Sequence, residues 1–339
     1  MIKRILYTLL IMFPVLASAQ INTDRVMAIG RNALYFEDYV LSIQYFNQVI
    51  NAKPYLSDPY FYRGLAKINL DDFQGAESDC SEAIERNPFV VSAYQVRGLA
   101  RIQQNNFAGA IEDYTKALEF DPENIGVWHN MALCRIRQED YKGAKNDLDK
   151  LIAISPRYTK AYLMRGEVDL KQKDTLAAEK DFGKAIEIDR YDADTWASRA
   201  ILRLQQQRYK DAEADFDHAI RLSTRNSGVY INRALARYHQ NNLRGAMSDY
   251  DIALDIDPNN FIGHYNRGLL RAQVGDDNRA IQDFNFVIEM EPDNMMAIFN
   301  RGLLLDQTGD YKGAIKDYST VINEYPNFFA GLSIQSAGT

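Results

Sequence analysis

The sequence predicts an all-α solenoid of nine helix–turn–helix repeats, each 34 residues long. Nearly the same segment recurs at this interval, as AESDCSEAIERNP from Ala76, AIEDYTKALEFDP from Ala110 and AKNDLDKLIAISP from Ala144. Small, aromatic and proline residues return at fixed positions in each copy. No insertion or deletion interrupts the copies, which end at Phe328 and begin at Thr23, Ser57, Val91, Ile125, Thr159, Ala193, Ser227, Phe261 and Met295.

Residues 1–19 have the layout of a secretory signal peptide. Lys3 and Arg4 precede an apolar run of 12 residues, and small residues up to Ala19 follow it. This order predicts export with cleavage before Gln20, and hence a periplasmic or secreted protein. The alternative is an uncleaved membrane anchor, but the run is shorter than the roughly 20 apolar residues that span a bilayer. No later segment is apolar enough to enter a membrane, so we expect no membrane insertion after cleavage.

The first predicted helix of each repeat combines a large residue at position 4 with a small residue at position 8. These two positions share one helix face, and the small residue allows two helix backbones to approach closely. From the second copy on, position 4 holds Tyr60, Tyr94, Trp128, Tyr162, Trp196, Tyr230, His264 and Ile298. Position 8 holds Gly30, Gly64, Gly98, Ala132, Gly166, Ala200, Ala234, Gly268 and Gly302.

The second predicted helix follows a polar turn and ends before a proline. Asn106, Asp140, Asp174, Asn242 and Asp310 occupy turns where their side chains can cap this helix. Position 20 is alanine in eight copies, and position 24 is large and mostly aromatic. Position 32 is proline in seven copies, which ends the helix because proline cannot continue its hydrogen-bond ladder. One such hairpin cannot bury both apolar faces alone, so we expect each repeat to stack on the next.

This pattern resembles the tetratricopeptide repeat over 20–328, with copies filling Thr23 to Phe328. That family has an aromatic residue at position 4, a small residue at 8, alanine at 20, an aromatic residue at 24 and proline at 32. The resemblance implies a right-handed superhelix whose first helices line a concave groove. It also implies that the partners are peptides or protein segments.

Arginine recurs at position 7 in seven copies and aspartate at position 23 in eight. An anion-binding ladder is one interpretation. We favour structural pairing between the two helices of a repeat, because the first copy lacks both partners. A partly buried pair of this kind would fix helix register more than it adds net stability. In the fourth copy Met131 takes position 7, and Arg135 could serve Asp147 instead. The predicted structural ion pairs are Arg97 with Asp113, Arg233 with Asp249, Arg267 with Asp283 and Arg301 with Asp317.

In the family, positions 2, 5, 6, 9, 12 and 13 face the concave groove. One branch of the family binds a C-terminal carboxylate with asparagine at position 9 and with lysines at other groove positions. Here position 9 is mostly leucine or isoleucine and those lysines are missing, so we do not expect a carboxylate clamp. Aromatic residues beside amides suit an extended peptide with apolar side chains. The asparagines could instead support helix packing. The candidate ligand-binding residues are Asn232, Tyr238, Tyr265, Asn266, Leu269, Gln273, Phe299, Asn300, Leu303 and Gln307.

Charge and motif content exclude several function classes. The net charge is −7, and losing Lys3 and Arg4 would take it to −9, so nucleic acid is not expected as a partner. No phosphate loop, nucleophile elbow, zinc motif or cysteine cluster is present. We therefore expect no enzyme, no cofactor and no metal. Cys80 and Cys134 lie in different repeats at usually apolar positions, which predicts buried free thiols.

The chain ends in a partial tenth repeat or tail at 329–339. Tyr318, Val321 and Ile322 would then be partly uncovered, which a longer array, a partner or a short helix could explain, and which would permit self-association. The sequence predicts a non-catalytic scaffold that binds a peptide or protein segment in its concave groove. The alternative is the ligand-binding ectodomain, or an accessory subunit, of a larger envelope receptor or enzyme complex.

Overall fold

The computed structural model describes residues 22–324. The predicted signal peptide at 1–19 and the predicted tail at 329–339 lie outside these residues. The predicted all-α repeat fold is confirmed, since the described residues form 18 helices and no strand. They divide into two compact units, 22–174 and 175–324.

The first unit contains nine helices in four complete pairs and one first helix. Each helix packs on its neighbour in the chain, alternately within a repeat and between repeats. They are α1 (Thr23–Tyr35), α2 (Tyr39–Ala52), α3 (Asp58–Ile68), α4 (Phe73–Arg86), α5 (Val91–Gln103), α6 (Phe107–Phe120), α7 (Ile125–Arg137), α8 (Tyr141–Ile154) and α9 (Thr159–Lys171).

The second unit contains a second helix followed by four complete pairs, with the same packing of neighbours. Its helices are α10 (Thr175–Ile188), α11 (Ala193–Gln205), α12 (Tyr209–Leu222), α13 (Ser227–His239), α14 (Leu243–Ile256), α15 (Phe261–Gln273), α16 (Asp277–Met290), α17 (Met295–Gln307) and α18 (Tyr311–Glu324).

A short turn with one left-handed residue joins the two helices of every repeat. Position 15 has a positive φ in all nine copies, from 58° at Asp71 to 88° at Gly309, and only the last two of these residues are glycine. The next residue but one begins the second helix, and the residue between them is often its cap. Asn106, Asp140 and Asn242 each accept a hydrogen bond from the backbone N–H three residues on, at 2.9–3.1 Å.

In each repeat that lies within one unit, the core is between the small residue at position 8 and the large residue at position 24. A Cβ atom added to Gly98 would lie only 2.8 Å from the ring of Tyr114, so the glycine is needed for close approach of the two helices. Tyr114, Phe216 and Phe284 are 0–1% exposed, and the alanines at position 20 are equally buried. Cys80 and Cys134 are buried and free, as predicted, and burial raises the pKa of the Cys80 thiol to about 12.

The two ends of the described chain differ in character. Position 10 is small or apolar and at most 4% exposed in the eight later repeats, whereas α1 has the exposed Asn32 there. By contrast, α18 exposes Tyr311 (64%), Ile315 (65%) and Ile322 (53%) on one side. No helix within residues 22–324 combines the length and the apolar character that a membrane crossing requires.

Candidate functional site

The candidate site lies on three first helices of the second unit. We define the first-helix face as positions 2, 5, 6, 9, 12 and 13 of α13, α15 and α17, which include all ten candidate residues. Its members are Gly228, Ile231, Asn232, Leu235, Tyr238, His239, Ile262, Tyr265, Asn266, Leu269, Ala272, Gln273, Met296, Phe299, Asn300, Leu303, Asp306 and Gln307.

An exposed apolar row, formed by Ile262, Leu269, Met296 and Leu303, runs along the first-helix face. Leu269 and Leu303, both at position 9, are 39% and 40% exposed, although each occupies the middle of a well-packed helix. Ile262 and Met296 at position 2 are exposed as well, at 50% and 43%. Leaving these side chains in water forgoes their hydrophobic stabilisation, at roughly 25 cal/mol per Å² of apolar surface.

Ile262 and Met296 were missed among the sequence candidates. The signal was present, because position 2 is Asp, Ser, Gly or Lys in the first seven copies and apolar only in the last two. That position 2 faces the groove in the family does not reveal the change from polar or small to apolar residues. The change appears only when position 2 is compared from copy to copy along the chain. The structure places both side chains on the same face as Leu269 and Leu303.

Three asparagines at position 6 accompany the apolar row. Asn232, Asn266 and Asn300 are all half-buried on the first-helix face. Asn300 Nδ2 donates a hydrogen bond of 3.2 Å to Tyr265 Oη, which joins candidates from neighbouring repeats. The side chains of Asn232 and Asn266 make no hydrogen bond within residues 22–324, so both amides can serve a ligand. Within the first-helix face, a hydrogen bond supports the packing interpretation at Asn300 alone.

Each aromatic candidate packs against a neighbouring aromatic ring. The Tyr265 ring meets Phe284 edge to face at 5.8 Å, and the Phe299 ring lies 6.2 Å from that of Tyr318. Burial raises the pKa of Tyr265, and the Asn300 hydrogen bond opposes this shift. Tyr238 is more open, at 36% exposed, and packs edge to face on His239 at 5.5 Å. Each ring thus offers one edge or face on a fixed support.

The first-helix face is almost uncharged. Asp306 is its one carboxylate, His239 is its one histidine, and no lysine or arginine is included, although 25% of the whole chain is charged. Asp306 lies at position 12 and His239 at position 13, so both are beside the apolar row rather than within it. A ligand that covers this row would meet amides, aromatic rings and aliphatic groups.

The predicted ion pairs lie between the two helices of a repeat. Each aspartate is at most 3% exposed, and each arginine side chain keeps only 13–21% of its surface in solvent. This burial leaves little of any guanidinium for an anionic ligand. The Nη2–Oδ1 distances are 2.6 Å for Arg97–Asp113, 2.6 Å for Arg233–Asp249, 2.7 Å for Arg267–Asp283 and 2.6 Å for Arg301–Asp317.

The arginines at positions 7 and 11 also reach back to the preceding repeat, a contact missing from the sequence predictions. Arg233 at position 7 contacts Asp217 at 2.7 Å, and Arg237 at position 11 contacts Glu213 at 2.7 Å, while both hold Asp249. The signal was that each glutamate at position 21 is followed by an arginine at position 11 of the next copy. Arginine follows glutamate at Glu77 and Arg101, at Glu179 and Arg203, and at Glu213 and Arg237.

The fourth and fifth copies depart from this pattern. Lys145 at position 21 pairs with Asp169 at position 11, so the charges are reversed. Asp169 is only 1% exposed, and Lys145 supplies its ion pair across the repeat boundary. Asp147 contacts Arg135, as the sequence suggested, but its Oδ2 is buried without a hydrogen bond.

Family comparison agrees with this geometry. Family models described as tetratricopeptide repeat match residues 125–158, 159–192, 198–261 and 265–327, and one described as TPR repeat matches 98–134. Together these matches cover more than half of the chain. The chain belongs to the tetratricopeptide repeat family. No curated protein matches the chain.

Solved structures share the tetratricopeptide repeat fold. A tetratricopeptide repeat protein from Parabacteroides merdae ATCC 43184 is 21% identical with a TM-score of 0.55, over 74% of this chain and 98% of that one. Pseudomonas aeruginosa pilF is 19% identical with a TM-score of 0.53, over 64% and 97%. The Cut9–Hcn1 hetero-tetramer of APC/C is 13% identical with a TM-score of 0.54, over 86% and 57%. At these identities the likeness shows the fold alone.

Proposed function

We propose that this tetratricopeptide repeat protein is a non-catalytic scaffold that holds a peptide or protein segment on its first-helix face. The observation that carries the proposal is the exposed apolar row of Ile262, Leu269, Met296 and Leu303 beside amides. Aromatic and aliphatic anchors next to groups that donate and accept hydrogen bonds are the chemistry that recognises a peptide. Membership of a family that serves as interaction scaffolds supports the same assignment.

The buried ion pairs support a partner that brings no negative charge to the first-helix face. The arginines of the second unit that lie nearest the first-helix face are engaged by Asp249, Asp283 and Asp317. Removing a charge of the ligand from water would cost free energy unless an opposite charge met it. The first-helix face provides no lysine or arginine for that purpose.

The test compares two charged double variants in a capture experiment. Leu269→Glu/Leu303→Glu places carboxylates in the apolar row, and Ile252→Glu/Met290→Glu places them at similarly exposed positions (37% and 52%) on second helices. Immobilised chains from Gln20 to Thr339 are exposed to an envelope extract of the producing cells. In a separate chain without these substitutions, a photo-crosslinking residue at the exposed Gln273, at the edge of the apolar row, identifies what contacts the face.

The proposal expects the first variant to lose the captured protein and the second to keep it. The crosslink from position 273 should map to one short segment of that protein. Equal capture by both variants would place the binding surface elsewhere, and no capture by the wild type would contradict a scaffold role in that extract. Circular dichroism of each variant checks that helix content is unchanged.

The proposal includes export. Its support is the sequence of residues 1–19, with two cations, an apolar run and small residues before Gln20. Expression of the full chain in the producing cells, followed by N-terminal sequencing of the purified protein, is expected to give a chain that begins at Gln20. A chain that keeps Lys3 and Arg4 would contradict cleavage.

A further inference from the structure

Equivalent residues recur on the first-helix face from one repeat to the next. We propose that the ligand is a neutral segment in the polyproline II conformation, with an apolar side chain at every third residue. This inference rests on the proposed function, because it specifies the partner of the same face. It follows from the repeat spacing, the free amides and the scarcity of charge.

The face presents the same groups once per repeat. Asn266 and Asn300 are equivalent, as are Leu269 and Leu303, and α15 is in contact with α17. Packed helices lie about 8–10 Å apart, so each group recurs at about this distance. The hydrogen bond of 3.2 Å from Asn300 to Tyr265 shows that side chains of these two repeats meet on the face.

A ligand that gives each repeat the same contact must itself repeat at this distance and on one side. A β-strand presents one side at every second residue, which is about 6.6 Å, or at every fourth, about 13 Å. Polyproline II has three residues per turn and a rise of about 3.1 Å, so one side recurs at about 9.3 Å. Of these conformations, polyproline II alone repeats within the roughly 8–10 Å that separates packed helices.

The hydrogen-bonding groups of the face suit the same conformation. A polyproline II segment has no internal hydrogen bonds, so its carbonyl and N–H groups are open to a partner. A carboxamide both donates and accepts, and the side chains of Asn232 and Asn266 have no partner within the described residues. Asn300 retains its Oδ1 acceptor while Nδ2 donates to Tyr265.

The charge of the face restricts the side chains of the ligand. Residues that touch the apolar row meet Leu269, Leu303 and the rings of Tyr265 and Phe299, with no lysine or arginine on the face to neutralise a carboxylate. Burying an unpaired charge there would be costly. Proline at the intervening positions would lower the ordering cost, because its φ already lies near the polyproline II value.

The test uses three labelled peptides of identical composition, made of leucine, proline and serine. Leucine recurs at every second, third or fourth residue. Binding to the chain from Gln20 to Thr339 is measured by fluorescence anisotropy. We expect the three-residue period to bind at least about tenfold more tightly than the other two. Asn266→Ala should weaken that peptide, whereas Gln282→Ala, an exposed amide on α16, should not.

The outcomes separate this inference from the proposed function. Equal affinities, or tightest binding of another period, would overturn the three-residue register. Failure of all three peptides to bind, while Leu269→Glu/Leu303→Glu still loses the captured protein, would overturn the ligand conformation and leave the scaffold proposal standing. Failure of the scaffold proposal would appear instead as equal capture by both glutamate variants.

Discussion

Asp147 differs from the other aspartates at position 23 in its surroundings. Asp249 accepts hydrogen bonds from Arg233 and Arg237. Asp147 has Met131 in place of the first arginine, and among residues 22–324 it accepts a hydrogen bond from Arg135 only. Its Oδ2 is buried without a hydrogen bond. Burial outweighs the attraction of Arg135 and raises the pKa of Asp147 from 3.8 to about 6.

This difference predicts opposite effects for one substitution at two sites. Because the folded-state pKa of Asp147 is raised, its contribution to stability is full below the unfolded pKa and is lost as the pH rises through about 6. Asp147→Asn should therefore raise the unfolding free energy at about pH 8, by roughly 1–3 kcal/mol, with little gain at about pH 4. Urea denaturation at both pH values measures this.

Asp249→Asn is the matched control. It removes a buried carboxylate held by two arginines, so it should lower the unfolding free energy at about pH 8 by about 3 kcal/mol. If both substitutions destabilise the chain equally at that pH, the pKa of Asp147 is not raised by burial.

At the residue scale, the sequence predicted the partners within a repeat better than those between repeats. Arginine at position 7 and aspartate at position 23 recur together in several copies, so a pair such as Arg97 and Asp113 could be predicted from the sequence. The contact of Arg233 with Asp217 was not visible, because position 25 varies among Asn, Ser, Thr, Asp and Gly. Some surface groups, such as the amide of Asn266, are left without a hydrogen-bond partner among the described residues. Which groups these are depends on side-chain packing, which the repeat pattern does not predict.

The element that departs most from its equivalents is α18. Tyr250 in α14 is 2% exposed, because the next first helix covers it. Tyr318, at the same position in α18, is half-buried, and Tyr311 and Ile315 beside it are 64% and 65% exposed. An element with fewer buried contacts opens at a lower free-energy cost.

The same substitution in these two helices should therefore differ in cost. Tyr250→Ala is expected to lower the unfolding free energy by about 3–5 kcal/mol, and Tyr318→Ala by roughly half as much or less. Chemical denaturation measures both variants, and hydrogen exchange of the wild type should show faster exchange in α18 than in α14. Equal costs and equal exchange would mean that α18 is covered in solution.

Helix boundaries were the most predictable feature of the elements. Eight first helices begin at the first residue of a predicted copy, and α3 begins one residue later, at Asp58. The left-handed residue at position 15 could not be predicted from residue type, since Glu139 and Gln207 occupy it as readily as Gly275. The turn geometry follows from the packing of two helices, which overrides the preference of the single residue.

At the scale of the whole molecule, the polar pairs between repeats differ from one junction to the next. Lys145 and Asp169 reverse the charges found at Glu213 and Arg237. Because Asp169 is 1% exposed, leaving it opposite a glutamate would bury two like charges. Self-association through the uncovered side of α18 stays a prediction.

A charge exchange tests this pairing. Lys145→Glu and Asp169→Arg are each expected to lower the unfolding free energy, by about 1–3 kcal/mol, because each places like charges together. The double variant Lys145→Glu/Asp169→Arg should recover most of the loss, since it creates the arrangement of Glu77–Arg101 and Glu213–Arg237. A double-mutant cycle by denaturation gives the coupling, and additive losses would show that the two side chains do not interact.

The pairing between positions 11 and 21 also bears on how such a gene can change length. Recombination that removed 91–124 would bring Glu77 opposite Arg135, and the new junction would unite opposite charges. Loss of 125–158 would instead bring Ile111 opposite Asp169 and strand a buried carboxylate. Copies of equal length are therefore not interchangeable at their junctions.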